Sequence, residues 1–204
     1  FLILVVSVTS MSFTFGFIMP VVPLFLQELA GSDHGSIVSL AGVIFAISGL
    51  VGAVSSAVMG RFSDTVGPKR VLVWGLVAAG IFYCAQGYAQ TVMTLGILLV
   101  FSGIATGAIR PVANALVARI IDEADRGKAF GIMTSAAALG WAAGPLGGSW
   151  VGATWGLRSV FFVTAALFLL VGLWVWRAMD EPASASGHRL PQMLRTWQRR
   201  RGRM

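Results

Sequence analysis

The sequence predicts an all-α membrane protein built on six transmembrane helices, and three observations carry that prediction. Of its 204 residues, 56% are apolar and only 11% are charged, with a mean hydropathy of +0.81; a soluble domain carries about 25% charged residues. Six stretches without Asp, Glu, Lys or Arg cover residues 1–27, 37–59, 71–90, 92–109, 129–152 and 159–176. Each reaches the roughly 18–20 residues a helix needs to cross about 30 Å of hydrocarbon. The cations, finally, collect between alternate stretches rather than at random. A backbone in lipid must satisfy its own hydrogen bonds, and these stretches lack the alternation of barrel strands, so they read as helices.

The first stretch begins at Phe1 with no basic leader and no small-residue cleavage site, so a signal peptide is not expected and the start reads as truncated. Pro20 and Pro23 mark its far end. The second and fourth stretches are rich in small residues, as in Gly49, Gly52, Ala53 and Ala57 or Gly103 and Gly107. Such spacing lets helices approach closely where lipid supplies little hydrophobic drive. Cys84 lies in the third stretch and, as the single cysteine, reads as packing. Trp150 and Trp155 flank one end of the fifth stretch, and Trp74, Trp174 and Trp176 lie near the opposite membrane surface, where amphipathic rings settle. Short connections make consecutive spans antiparallel neighbours. Residues 1–180 form the bundle, and residues 181–204 read as a basic cytoplasmic linker, cut short.

Arg61, Lys69 and Arg70 follow the second span; Arg119, Arg126 and Lys128 follow the fourth; and seven more cations follow the sixth, against Arg158 alone on the other side. That asymmetry puts these loops and the tail in the cytoplasm. The net charge of +7 is therefore an orientation signal. Nucleic acid is not an expected partner, because the tail sets only Trp197 beside its charge.

The loop after span two reads Gly60-Arg61-Phe62-Ser63-Asp64-Thr65-Val66-Gly67-Pro68-Lys69-Arg70. Gly60 allows close approach to a neighbour, Gly67 suits a turn with positive φ, and Pro68 suits the first turn of a helix. Asp64 can pair with Arg70 or face the positive end of a helix dipole. This spacing resembles the signature G-x-x-x-D-x-x-G-x-[RK]-[RK] of the major facilitator superfamily, with Thr65 and Pro68 departing from its basic residues. The resemblance continues in Asp125-Arg126-Gly127-Lys128-Ala129, in Gly156-Leu157-Arg158 with Phe161, and in span five. There Gly131, Gly140, Gly144, Pro145 and Gly148 follow a motif of the drug and proton antiporter branch, although Ser149 replaces a final glycine.

The resemblance implies one bundle of 3+3 inverted repeats, the N-terminal half of an alternating-access transporter. A six-helix C-terminal half, the lipid bilayer, a small-molecule substrate and a proton or other coupling ion are the implied partners, and no cofactor or metal is expected. Gly60, Asp64, Gly67 and Arg70 would form a latch between the halves, and Gly140, Gly144, Pro145 and Gly148 a hinge surface. The antiporter branch often carries an Arg early in span four before a Gln-Gly pair; here Leu99 and Ser102-Gly103 stand in those places. The function implied is proton-coupled efflux of a small organic solute in a bacterial inner membrane, with uptake of an anionic metabolite as the alternative.

Of the fifteen Lys and Arg residues, Arg110 alone lies inside a span, a little inward of the midplane. A charge there costs about 2.5–3.5 kcal/mol on insertion scales and faces a cavity or a partner. Thr106 and Asn114, one turn either side, complete a polar stripe. Ser10 and Thr14, with Ser7, give span one a second, weaker stripe, since such hydroxyls commonly bond their own backbone. All eight acidic residues lie outside the spans, so a coupling carboxylate is expected in the other half. An intramembrane enzyme would need a nucleophile with a base, or metal ligands, at membrane depth. The histidines, His34 and His188, instead read as loop residues. A sensor or scaffold whose arginine tail binds anionic lipid is the remaining alternative.

Overall fold

The computed structural model describes residues 2–30, 34–107, 109–120 and 125–178, with backbone alone at 2–4, 30, 34–38, 64 and 117–120. Eight helices are present among the described residues: α1 Leu2–Ile18, α2 Val21–Ala30, α3 His34–Val66, α4 Pro68–Gly87, α5 Val92–Gly107, α6 Ile109–Ile120, α7 Arg126–Trp155 and α8 Leu157–Ala178. They make six segments long and apolar enough to span a membrane: Val5–Leu29, Ser39–Ser63, Pro68–Gly87, Val92–Leu116, Arg126–Trp155 and Leu157–Ala178. The six expected spans are all there. His34, expected in a loop, instead opens α3. The linker expected at 181–204 lies outside the described residues.

The first span is not one helix. Met19 and Pro20 form a turn between α1 and α2, because a proline drives the residue before it out of the helical region. Pro23 is the third residue of α2, where a backbone donor has no intrahelical partner to lose. The fourth span is described as α5 and α6 on either side of residue 108. The corner between α3 and α4 is closed by Gly67 at φ 105°, whose amide donates to the Ser63 carbonyl at 3.1 Å, with Pro68 opening α4. A Cβ at that φ would be strained, so the turn needs its glycine.

Consecutive spans do touch, but the main seams join helices distant in sequence: α1 with α7, α3 with α5, and α4 with α8. Along α1–α7, Gly140 and Gly144 face the backbone of Thr9, Phe13 and Gly16, and Gly148 faces the Phe17 carbonyl. A Cβ at Gly140 would lie 2.5 Å from the Thr9 oxygen, and one at Gly144 would lie 2.6 Å from that of Phe13. Glycine every fourth residue therefore lets two backbones meet without side chains between them. Pro145 lies inside α7 and cannot donate to the Trp141 carbonyl one turn back. That carbonyl, Pro145 Cδ and the Gly144 Cα all lie against Gly16 of α1.

The α3–α5 seam uses Gly52 against the Gly103 carbonyl, Gly103 against Ser48, and Gly107 against Gly52. Ser48 and Ser55 donate across it to the carbonyls of Leu99 and Ile104 at 2.8 and 2.7 Å. Gly49, in contrast, has open space where a Cβ would stand, and Ala53 and Ala57 are exposed in this unit. The small residues of α3 thus split between two faces, only one of which packs here.

Between α4 and α8, Gly80 accommodates Leu169 and Gly172 accommodates Leu76. Tyr83 stacks on Phe168 at 5.3 Å, and Phe168 meets Phe15 of α1 edge-on at 5.6 Å. Cys84 is half-buried beside this core. Where α7 turns into α8, Gly156 adopts φ 88°. Arg158 donates to the Gly87 carbonyl at 3.2 Å and lies 5.2 Å from the centre of the Phe25 ring, which packs on Phe161. The tryptophans expected at the membrane surfaces point outward, with Trp74 72% and Trp150 62% exposed.

Candidate functional site

A cavity of about 460 Å³ opens between α1, α6 and α7. Alpha-helix 1 contributes Val8, Met11, Ser12 and Phe15; α6 contributes Ile109, Arg110, Ala113 and Asn114; and α7 contributes Phe130, Met133, Thr134, Ala137, Ala138 and Trp141. The α7 residues recur every three or four positions because one face of a helix repeats at that interval. Ala137 and Ala138 keep α7 thin at the centre of this face, between Phe130 and Trp141.

Arg110 and Asn114 are one helical turn apart and both exposed, so the structure brings them together on the cavity wall. Among the described residues nothing accepts a hydrogen bond from the Arg110 guanidinium. Glu28, expected outside the spans, falls at the very end of Val5–Leu29; it and Asp125, acids whose side chains are described, do not line the cavity. Thr106 does not join the pair: it is half-buried and its hydroxyl returns to the Ser102 carbonyl at 2.8 Å. Ser10 and Thr14 lie on another side of α1, in a separate groove of about 420 Å³ with Leu139, Gly140 and residues of α8. The Thr14 hydroxyl donates to the Ser10 carbonyl at 2.7 Å. Within this unit the two polar stripes read from the sequence therefore serve different surfaces.

The loop residues divide similarly. Gly67 makes the corner as expected, and Arg70 lies exposed in the first turn of α4. Gly60, expected to allow close approach, has nothing within 4 Å of where its Cβ would be; its carbonyl instead accepts the Ser63 hydroxyl at 2.8 Å. The side chain of Asp64 falls outside the described residues. In span five, Gly140, Gly144 and Gly148 pack on α1, while Gly131 faces open space.

Sequence reasoning did not single out Met11, Ser12, Phe15, Phe130, Met133, Thr134 or Trp141. Their helical spacing was the available signal, but it is the same for residues facing lipid, a core or a cavity. Among the described residues no group of three His, Cys, Asp or Glu side chains lies close enough to hold a metal.

The class that the fold defines is therefore a polytopic α-helical membrane protein, with a cavity between three of its helices and an arginine on the cavity wall. The profile of the Major Facilitator Superfamily matches residues 4–202, and the chain belongs to that family. It is 29% identical over 178 residues to the multidrug resistance protein MdtG of Escherichia coli O1:K1 / APEC, and equally so to MdtG of strain K12 / DH10B. Those alignments cover 87% of this chain and 42% of each relative. The solved structure of the proton:xylose symporter XylE bound to 6-bromo-6-deoxy-D-glucose is similar in fold, with a TM-score of 0.65 at 20% identity over 87% of this chain and 40% of that one. The chain thus spans less than half the length of these relatives. The family is one of transporters, and the expectation against an enzyme stands with it.

Proposed function

We propose that this chain is one half of an alternating-access secondary transporter, and that the α1–α6–α7 cavity is its half of the solute pathway. The observation that carries the reading is Arg110: a permanently charged side chain within a membrane-spanning segment, turned into an open cavity and paired to no described group. A second six-helix bundle closes the cavity, and rocking of one bundle on the other exposes it to each side in turn.

The direction we assign is export, coupled to protons, which the multidrug-resistance relatives and the glycine motif of α7 support. With no acidic residue in the interior of its spans, the coupling carboxylate belongs to the other bundle. Gly60, Asp64, Gly67 and Arg70 latch the cytoplasmic side, and the chain lies in a bacterial inner membrane with its tail in the cytoplasm. The test is solute movement by the full-length protein in proteoliposomes under an imposed pH gradient. Gradient-dependent movement of amphipathic dyes out of the proton-poor compartment is expected. Dye and proton fluxes indistinguishable from those of empty liposomes would remove the proposal.

A further inference from the structure

We propose that the α1–α6–α7 cavity selects organic anions that carry an aromatic or similarly flat apolar body, with Arg110 binding the anionic group and Asn114 flanking it. This rests on the transport reading and narrows its substrate class.

The argument begins with charge. A guanidinium is protonated at any physiological pH, and it presents planar paired donors that match a carboxylate or sulfonate. In a poorly polarisable setting an unpaired cation draws an anion and repels a second cation. Arg110 has no described hydrogen-bond acceptor, and no acidic residue of this chain lies in the interior of a span. Asn114, one turn along the same exposed face, adds an amide donor beside it. The recognition group offered by this bundle is therefore positive and directional.

The body of the ligand follows from the rest of the wall. Phe130 and Trp141 stand eleven residues apart on α7, about 16 Å at 1.5 Å per residue. The alanines between them leave room for a flat group, and Phe15 of α1 supplies a third ring. Aromatic faces bind apolar rings through area and stacking, with little demand on exact substitution. A cation of the same shape would find the rings but also the guanidinium. That distinction is not predicted by fold or family membership, because it depends on where one arginine points.

The experiment uses the full-length protein in proteoliposomes and tritiated 1-naphthoate, with 1-naphthamide and 1-naphthylmethylammonium as competitors of the same body and different charge. Naphthoate is expected to bind about ten-fold or more tightly than either competitor, the scale of one charge-assisted contact. Arg110→Gln should remove that preference while leaving naphthamide binding within about two-fold, and Arg110→Lys should keep part of it. Asn114→Asp, which sets a carboxylate one turn from the guanidinium, should also remove it and serves if the glutamine variant does not fold. Equal binding of naphthoate and naphthamide, a preference for the ammonium, or a naphthoate preference that survives Arg110→Gln or Asn114→Asp would overturn the proposal. Absence of all solute flux strikes the transport reading instead, since charge preference is read from binding at equilibrium.

Discussion

The α1–α7 and α3–α5 seams answer one problem, bringing two helices together in a solvent that does not push them, by different means. In α1–α7 three glycines of one helix lie against the backbone of the other, while the hydroxyls of Thr9 and Thr14 turn back onto carbonyls of α1 itself. In α3–α5 Gly52 lies against Gly103 and Gly107, and Ser48 and Ser55 reach across to the partner's carbonyls. The first seam depends on shape, and the second adds directional bonds that fix its register. Shape fails abruptly when a methyl group is inserted against backbone. A bond lost from the second seam should cost little.

Four substitutions in the full-length protein break or sharpen that contrast, each read as the melting temperature in detergent by fluorescence-detected chromatography. Gly148→Ala should be the most damaging, because its new Cβ meets the Phe17 backbone, which no rotamer change can clear; a loss of about 3 kcal/mol is expected, the upper part of the overpacking range. Gly107→Ala meets the Gly52 backbone and should cost about 2 kcal/mol. Near-wild-type stability for Gly107→Ala would identify α3–α5 as the seam that yields. Ser55→Ala removes one cross-helix bond and should cost about 0.6 kcal/mol, the average for such bonds in a membrane protein. Gly60→Ala enters open space and should leave stability unchanged or raise it by up to about 1 kcal/mol. Its effect, if the latch reading is right, falls on transport rate instead.

The six spans and the Gly67–Pro68 corner were legible because length, charge and turn chemistry are local properties. The partners were not. Gly49 and Gly52 look alike in sequence, yet one faces open space and the other packs against Gly103. A stripe of small residues marks a face without naming what meets it, so adjacency in sequence was a poor guide to the main seams. The interruption of span one was signalled by Pro20 but masked by the apolar residues on both sides, which keep hydropathy high through the turn. Arg110 and Asn114 stood out because a polar group in an apolar run needs a reason. The aromatic wall around them did not, since a ring at helical spacing reads the same whatever it faces. Ser10 and Thr14 have the right period for a shared face, but period alone does not say which side of α1 that face is on.

Arg158 was counted as the single exception to the cation asymmetry, and its surroundings change what that exception means. Its guanidinium caps the carbonyl at the end of α4 and rests over Phe25, so the charge is held by a helix terminus and a ring. It acts as a clasp joining three spans more than as a vote on how the chain threads the bilayer. Exchanging it for leucine should loosen that rim of the bundle and leave the sidedness of every loop as it was.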